Sequence, residues 1–576
     1  MAKAGTKSNR LNIDAQIIEI DSIKNSYESY AEAELAYLKI ATKEHRKKYA
    51  QYFTPSPVAQ LMCNWIAENR PSTILDPSVG VGVFISALAG MKLDADLYAN
   101  DIDKNILQFA KAVPGASRVN FQQKDFLLDA GEDKYDAIIA NPPYLRHHDF
   151  HYDEDIFSLI GNRNSITIPK TMNIYGLFVL EICRRLSDGG RAAIIIPSEW
   201  MNSNFGKPLK EVLIHRGLIK NLLLFSHEDS QFSGALTTAC ILFIERSRIS
   251  GGNEIKTLYL TSELKANNIN TLIRHGDSSP DDLILNSYTS DVLTTAKKWD
   301  HLIRNSFTEE RNDSIQLKDI STTKRGIATG ANEYFLLSVN RAKELRIRNE
   351  NLTPCIGRAA DVSGLIFSQK DLDYLIKEGI STHLLTLRSD LDENEALYIK
   401  FGEEMKLPLR HLLSVRKVWY RMEKRQPAPI LAAVQGRGFL RFVRNRTDAV
   451  NLTAFHGIYP TDQRPLYLDA LTVFLNSQMV QEGSKKEQRI YGGGLIKVQP
   501  DDLLNIQIPD LRMLSEEKLA AIANHLPLID QLYREKQKLQ DCHTVELHRL
   551  LSNVVYECDS EQAIKHRVGQ SDLFEA

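Results

Sequence analysis

The chain has 576 residues, more than one ordinary core accommodates, so two or more domains are expected. Apolar residues make up 43%, charged residues 25% and the net charge is −2, which is ordinary for a globular protein and does not by itself point to nucleic acid. No apolar run reaches the length of a membrane span, and the start MAKAGTKSNRLNIDAQ lacks the apolar core of a signal peptide. The six cysteines are scattered without a close pair, which excludes a zinc or redox motif and reads as reduced thiols.

Taken in chain order, residues 1–48 read as helical. Val58, Leu61, Met62, Trp65 and Ile66 then recur at helical spacing. From about 72 to 246, short apolar strands alternate with helical periods: Thr73–Leu75, Leu97–Asp101, Val119–Phe121, Ala137–Ala140, Ala192–Ile196, Leu222–Phe225 and Ala239–Ile244. Phe178, Val179, Ile182 and Leu186 mark one of the intervening helices. This alternation predicts an α/β domain whose mostly parallel sheet is covered on both faces and binds its ligand beyond the carboxyl ends of the strands.

The turns at those ends have unusual chemistry. In "ILDPSVGVGVF", Asp76 closes a strand, and Gly80 and Gly82 let backbone approach a ligand. Asp101 ends the next strand 19 residues after Gly82, a spacing that suits a carboxylate accepting both hydroxyls of a ribose. Asp103 is the competing acid there; Asp101 is preferred because it directly ends the strand. Asp125-Phe126 follow the third strand with a polar acceptor and a flat apolar face. The fourth strand stops at Asn141-Pro142-Pro143-Tyr144. Prolines end strands for structural reasons alone, but four such turns in sequence point to a site. His147-His148 lack any supporting ligand spacing, so no metal is expected.

These residues resemble the class I S-adenosylmethionine-dependent methyltransferases, and within them the TaqI-like, gamma-class DNA adenine methyltransferases of restriction–modification systems. "QYFTPSPV" (Gln51 to Val58) resembles the motif ahead of the Gly-rich turn, and "QFSGALTTACILFIE" (Gln231 to Glu245) resembles a later strand motif. The resemblance implies a Rossmann-like fold and transfer of a methyl group from S-adenosylmethionine to the exocyclic amine of an adenine flipped out of double-stranded DNA at a specific short site. It implies that Asn141 and Pro142 accept the amine's hydrogens, that Pro143 stiffens the turn, and that Tyr144 and Phe232 stack on the base. Phe232 also reads as a core aromatic before a strand. The same resemblance places Thr54, Asp76, Gly80, Gly82, Asp101, Ile102, Asp125 and Phe126 around the cofactor. It further implies a prokaryotic cytoplasmic, nucleoid-associated protein without a membrane, with a cognate restriction endonuclease acting separately. Methylation of protein glutamine or structured RNA, and a non-catalytic specificity subunit, are the alternatives.

After Arg246 the sheet pattern fades. Residues 251–314 read as a connection between a catalytic domain at 49–250 and a mixed α+β target-recognition domain at 315–512, followed by a helical tail at 513–576. Between Arg416 and Arg446 nine basic residues face one acid, Glu423, with Trp419, Tyr420, Phe439 and Phe442 interleaved. A charge run is usually a solvated face, but this mixture predicts a phosphate-tracking surface that includes Arg416, Arg421, Arg441, Arg444 and Arg446.

Overall fold

The computed structural model describes residues 24, 26–147, 149–150, 152, 155–226, 239–246, 254–260, 283–296, 298–304, 314–437, 440–491 and 495–535. The chain divides near residue 307 into two compact units.

The first unit is built on a nine-stranded sheet. Its strands are β1 (Thr73–Asp76), β2 (Asp96–Asp101), β3 (Val119–Gln123), β4 (Tyr135–Ala140), β5 (Leu186–Pro197), β6 (Ile219–Phe225), β7 (Ala239–Glu245), β8 (Glu254–Leu260) and β9 (Leu283–Thr289), in the spatial order 3-2-1-4-5-7-6-8-9. Strands β3, β2, β1, β4 and β5 run parallel, whereas β7 lies antiparallel between β5 and β6. The two-residue period sorts the side chains: Ile74, Ala137, Ile139 and Ile195 enter one apolar layer, and Leu75, Ile138, Ala140, Ile194 and Ile196 the opposite one. Helices α1 (Tyr30–Ile40), α3 (Ser56–Ala67), α4 (Val83–Ala89) and α5 (Lys104–Ala110) supply the first layer; α2 (Lys43–Lys48) follows α1 in the chain. Helices α6 (Ile156–Asn164), α7 (Ile174–Arg185) and α8 (Lys207–His215) supply the second. Because both faces are covered, the central strands β4, β6 and β7 read as nearly continuous apolar runs.

All seven expected strands are present; β5 starts at Leu186, six residues before its expected start and where a helix was expected, and the other limits lie within three residues. The sheet does not end at Arg246. Strand β8 pairs parallel with β6, and β9 pairs antiparallel with β8, so part of the expected connecting region belongs to the sheet. Strand β8 buries Ile255, Thr257, Leu258 and Leu260, whereas β9 buries only Leu283 and keeps polar residues at its edge, which weakens the apolar signal.

The second unit centres on a five-stranded sheet: Ser321–Arg325, Phe455–Pro460, Ile430–Ala433, Phe442–Asn445 and Ile366–Phe367, in that spatial order. Ile430, Phe442 and Ile458 pack with Leu471 of the buried helix Pro465–Leu475 and Ile522 of helix Glu516–Ala523. Helix Leu526–Arg534 follows, and residues 536–576 of the expected tail lie outside the described residues. No helix among the described residues is long and apolar enough to cross a membrane.

Candidate active site

A cleft of about 450 Å³ lies at the carboxyl ends of β1, β2 and β4, beside the point where the strand order reverses between β1 and β4. Thr54, Gly80, Asp101, Ile102, Asp125, Phe126, Asn141 and Pro143 all line it. Chain reversal after β1 requires left-handed backbone at Gly80 (φ 55°) and Gly82 (φ 95°). A Cβ on Gly82 would also come within 3.1 Å of Val113. Asp101 ties this turn to β2 by accepting the Gly80 N–H at 3.0 Å and the Asp103 N–H at 2.9 Å. Burial pushes its carboxyl up to about 6.

Asp103 is excluded from the cleft by its own partners. It caps α5 through the Asn105 N–H at 3.0 Å and binds His45 Nε2 at 2.7 Å and Gln51 Nε2 at 2.9 Å. Asp125 accepts the Leu127 N–H at 2.9 Å, and burial raises its carboxyl above the ordinary range. Phe126 packs against Phe178 with ring centroids 5.3 Å apart.

Asp76 does not line the cleft but sits buried beneath the turn. One carboxylate oxygen accepts the Ser78 N–H at 3.1 Å, while buried Oδ2 has no hydrogen-bond partner. Burial drives this carboxyl well above its usual range. A buried acceptor without a donor is costly, and an ammonium group reaching it would both neutralise and satisfy it. The residues present therefore fit a ligand with an amino group at one end, vicinal hydroxyls for Asp101 and a flat heterocycle beside Ile102 and Phe126.

Asn141 stands at the end of β4, and its side-chain Nδ2 donates to the Tyr52 carbonyl and to Thr54 Oγ1, both at 2.9 Å. Ser78 Oγ donates to the Asn141 backbone carbonyl at 3.1 Å. With both amide hydrogens engaged, Oδ1 is left as an acceptor without a partner among the described residues. Pro142 is buried. The Tyr144 hydroxyl donates to the Ile195 carbonyl at 3.3 Å, and its ring stacks on Tyr52 at 5.5 Å and 21°. Burial raises the Tyr144 phenol above its ordinary value. Phe232 lies outside the described residues.

Tyr52 is the contributor that sequence reasoning missed. Its carbonyl orients the Asn141 amide and its half-exposed ring covers Tyr144. Its position two residues before Thr54 was the available signal. No group of His, Cys, Asp or Glu that could hold a metal occurs among the described residues.

The arginine-rich stretch is a correction. Arg444 is buried and donates to the Pro429 carbonyl at 3.0 Å, the Asn445 carbonyl at 2.7 Å and Asp469 at 2.9 Å. Arg446 also pairs with Asp469, at 2.7 Å. Arg441 donates to the Val362 and Ala359 carbonyls at 2.7 and 2.8 Å, and Arg416 to the Ala328 and Thr329 carbonyls at 2.6 and 3.0 Å. Arg416, Arg441 and Arg444 thus hold protein segments together, and Arg446, though exposed, is paired with Asp469, so the stretch does not form an open cationic face. Of the five residues expected there, Arg421 and Arg446 are exposed, and the Arg421 side chain donates to Ser389 at 2.6 Å.

The strand order and the chemistry of the cleft define a class I S-adenosylmethionine-dependent methyltransferase fold carrying a second, mixed α/β unit. Residues 59–232 match the Eco57I restriction-modification methylase family, and residues 297–550 match the C-terminal domain of Type II methyltransferase M.Eco57I. Type II methyltransferase M.AccI of Acinetobacter calcoaceticus is 33% identical over 518 residues, covering 87% of this chain and 92% of that protein. Type II methyltransferase M.XamI of Xanthomonas campestris pv. amaranthicola is 26% identical, covering 80% and 85%. Among solved structures, the type IIL restriction-modification enzyme MmeI in complex with DNA aligns with a TM-score of 0.57 at 13% identity, covering 92% of this chain and 78% of that one. The chain belongs to the type II methyltransferases of restriction–modification systems.

Proposed function

We propose that this chain methylates the exocyclic amine of an adenine within a specific short site in double-stranded DNA, drawing the methyl group from S-adenosylmethionine. The observation that carries this reading is the Asn141 amide, whose two hydrogens are held by Tyr52 and Thr54 so that Oδ1 remains to accept from an incoming amine.

An adenine amine is a poor nucleophile because its lone pair is delocalised into the ring. Asn141 Oδ1 and the Pro142 carbonyl each accept one of its hydrogens, which favours a pyramidal nitrogen with its lone pair free. Two adjacent prolines fix the direction of that carbonyl before substrate arrives. S-adenosylmethionine, when bound, supplies a methyl group activated by a sulfonium. Asp76 holds the amino end of the cofactor, Asp101 the ribose, Ile102 and Phe126 pack on the adenine ring, and Asp125 accepts its exocyclic amine. Tyr144 offers a π-face to the target base, with Phe232 assigned to the opposite face. Stacking is worth about 1–3 kcal/mol per base and offsets part of the cost of flipping the base out. No protein base is required, because the proton leaves to solvent after transfer.

In a cell the protein acts on cytoplasmic DNA and protects the sites that a separate cognate endonuclease would cut. The test is nucleoside analysis of DNA incubated with the purified chain and labelled cofactor. N6-methyladenine is expected with wild type and absent with Asn141→Ala; unlabelled DNA overturns the proposal.

A further inference from the structure

The second unit carries an exposed apolar ridge that neither its core nor the catalytic reading accounts for. Leu409, Leu412 and Val415 are 77%, 48% and 71% exposed. They recur every third residue from the short turn Leu407–Leu409 to the residue that ends the helix His411–Ser414, while the neighbouring Leu407 and Leu413 are buried. The ridge is firmly seated. Arg410 binds Glu333 at 2.5 Å, and Arg416 donates to the Ala328 and Thr329 carbonyls. The loop beneath comes so close that a Cβ on Gly330 would meet Leu412 and Leu413 at 3.1–3.2 Å. Three apolar side chains are thus held out into solvent by a rigid backbone.

The charge around the ridge selects its occupant. Lys406, Lys417, Arg421 and Lys424 are exposed on either side, and Arg410, also exposed, is paired with Glu333. The one acid between residues 405 and 425 is Glu423, which pairs with Arg425 at 2.6 Å. The nearby exposed pair Leu397 and Phe401 sits instead beside Glu403 and Glu404, whose carboxylates would repel a polyanion. A protein partner that covered the ridge would have to place acids against four exposed cations; a nucleic-acid duplex presents phosphates on both sides of a groove whose base steps admit apolar wedges.

We infer that Leu409, Leu412 and Val415 form a wedge that enters a groove of the DNA duplex, with the flanking cations on the phosphates. This rests on the proposed action on DNA and adds where the duplex is gripped. Apolar side chains pressed between base steps unstack and bend DNA, a deformation that also lowers the cost of extruding a base.

The test uses the full chain and a duplex cut from unmethylated genomic DNA. Replacing Leu409, Leu412 and Val415 together by Ser should weaken duplex binding by roughly tenfold or more, since burying one such side chain already supplies that much. The slope of affinity against salt should stay at the wild-type value, because no cation is removed. Replacing Lys406, Lys417 and Lys424 by Gln should do the converse, lowering the slope by about 0.9 for each phosphate no longer neutralised. Leu409→Ser alone, at the most exposed position, repeats the measurement should the triple variant misfold. Wild-type affinity in both Ser variants overturns the wedge, as does a wild-type dimer that the variants convert to monomers with DNA binding unchanged. A wild-type chain that binds no duplex overturns the proposed function along with it.

Discussion

The cleft and the strand Phe442–Asn445 both bury charged or polar side chains, yet they dispose of them in opposite ways. Beneath the turn that borders the cleft, Asp76 Oδ2 lacks a partner, and in the cleft Asn141 has an open acceptor once its two hydrogens are held. At Arg444 the guanidinium meets two carbonyls and a carboxylate of its own fold. Hydrogen-bonding capacity left open in a rigid frame marks a site; capacity satisfied internally marks structure. Counting charges along the chain does not separate the two.

The contrast can be broken first at Asn141. Asn141→Ala removes an acceptor used only on the target amine, and removing one such transition-state hydrogen bond costs about 2.7–4 kcal/mol, or roughly 10²–10³ in rate. Single-turnover methyl transfer should fall by that factor while cofactor affinity by calorimetry stays near wild type. A rate close to wild type would place the amine elsewhere.

Arg444→Ala should show the opposite profile. It removes the buried guanidinium that joins the Pro429 and Asn445 carbonyls to Asp469 and costs roughly 2–3 kcal/mol of stability in denaturant unfolding. Lys417→Gln, on an exposed side chain, should stay within about 0.5 kcal/mol. Equal stability for the two variants would refute the assignment of Arg444 as structural.

Asp101 sharpens the comparison within the cleft. Asp101→Ala should weaken cofactor binding by about 1.5–3 kcal/mol, the worth of hydrogen bonds to a charged acceptor. The sign with pH follows from the raised carboxyl at about 6: the carboxylate that binds the ribose is fully formed above 6 and is lost as pH falls through it. Cofactor affinity should then drop about tenfold for each unit below 6, and Asp101→Asn should lack that dependence.

The smallest expected effect is at Gly82, where Ala must adopt φ near 95° beside Val113. It should cost about 1 kcal/mol or slightly more in thermal unfolding. No measurable loss would mean that the turn relaxes freely.

Much of this was legible in sequence because the catalytic sheet is buried on both faces and its strands are bounded by Asp, Gly and Pro. Asp76, Asp101 and Asn141 each end a strand, so their type and position carried the site. Choosing Asp101 over Asp103 followed from strand position alone; the structure adds the reason, since Asp103 serves His45 and Gln51. Other features depended on partners distant in the chain. Tyr52 reaches Asn141 across 89 positions, and Arg441 reaches Ala359 across 82. Strand β9 was missed because its edge position leaves it polar.

The most direct measurement is mass spectrometry of nucleosides from DNA methylated by the purified chain, beside a digest of the same reaction's protein. N6-methyladenine that appears with wild type and vanishes with Asn141→Ala is the predicted result. N4-methylcytosine in its place, or methylated glutamine with unmodified DNA, would contradict the account.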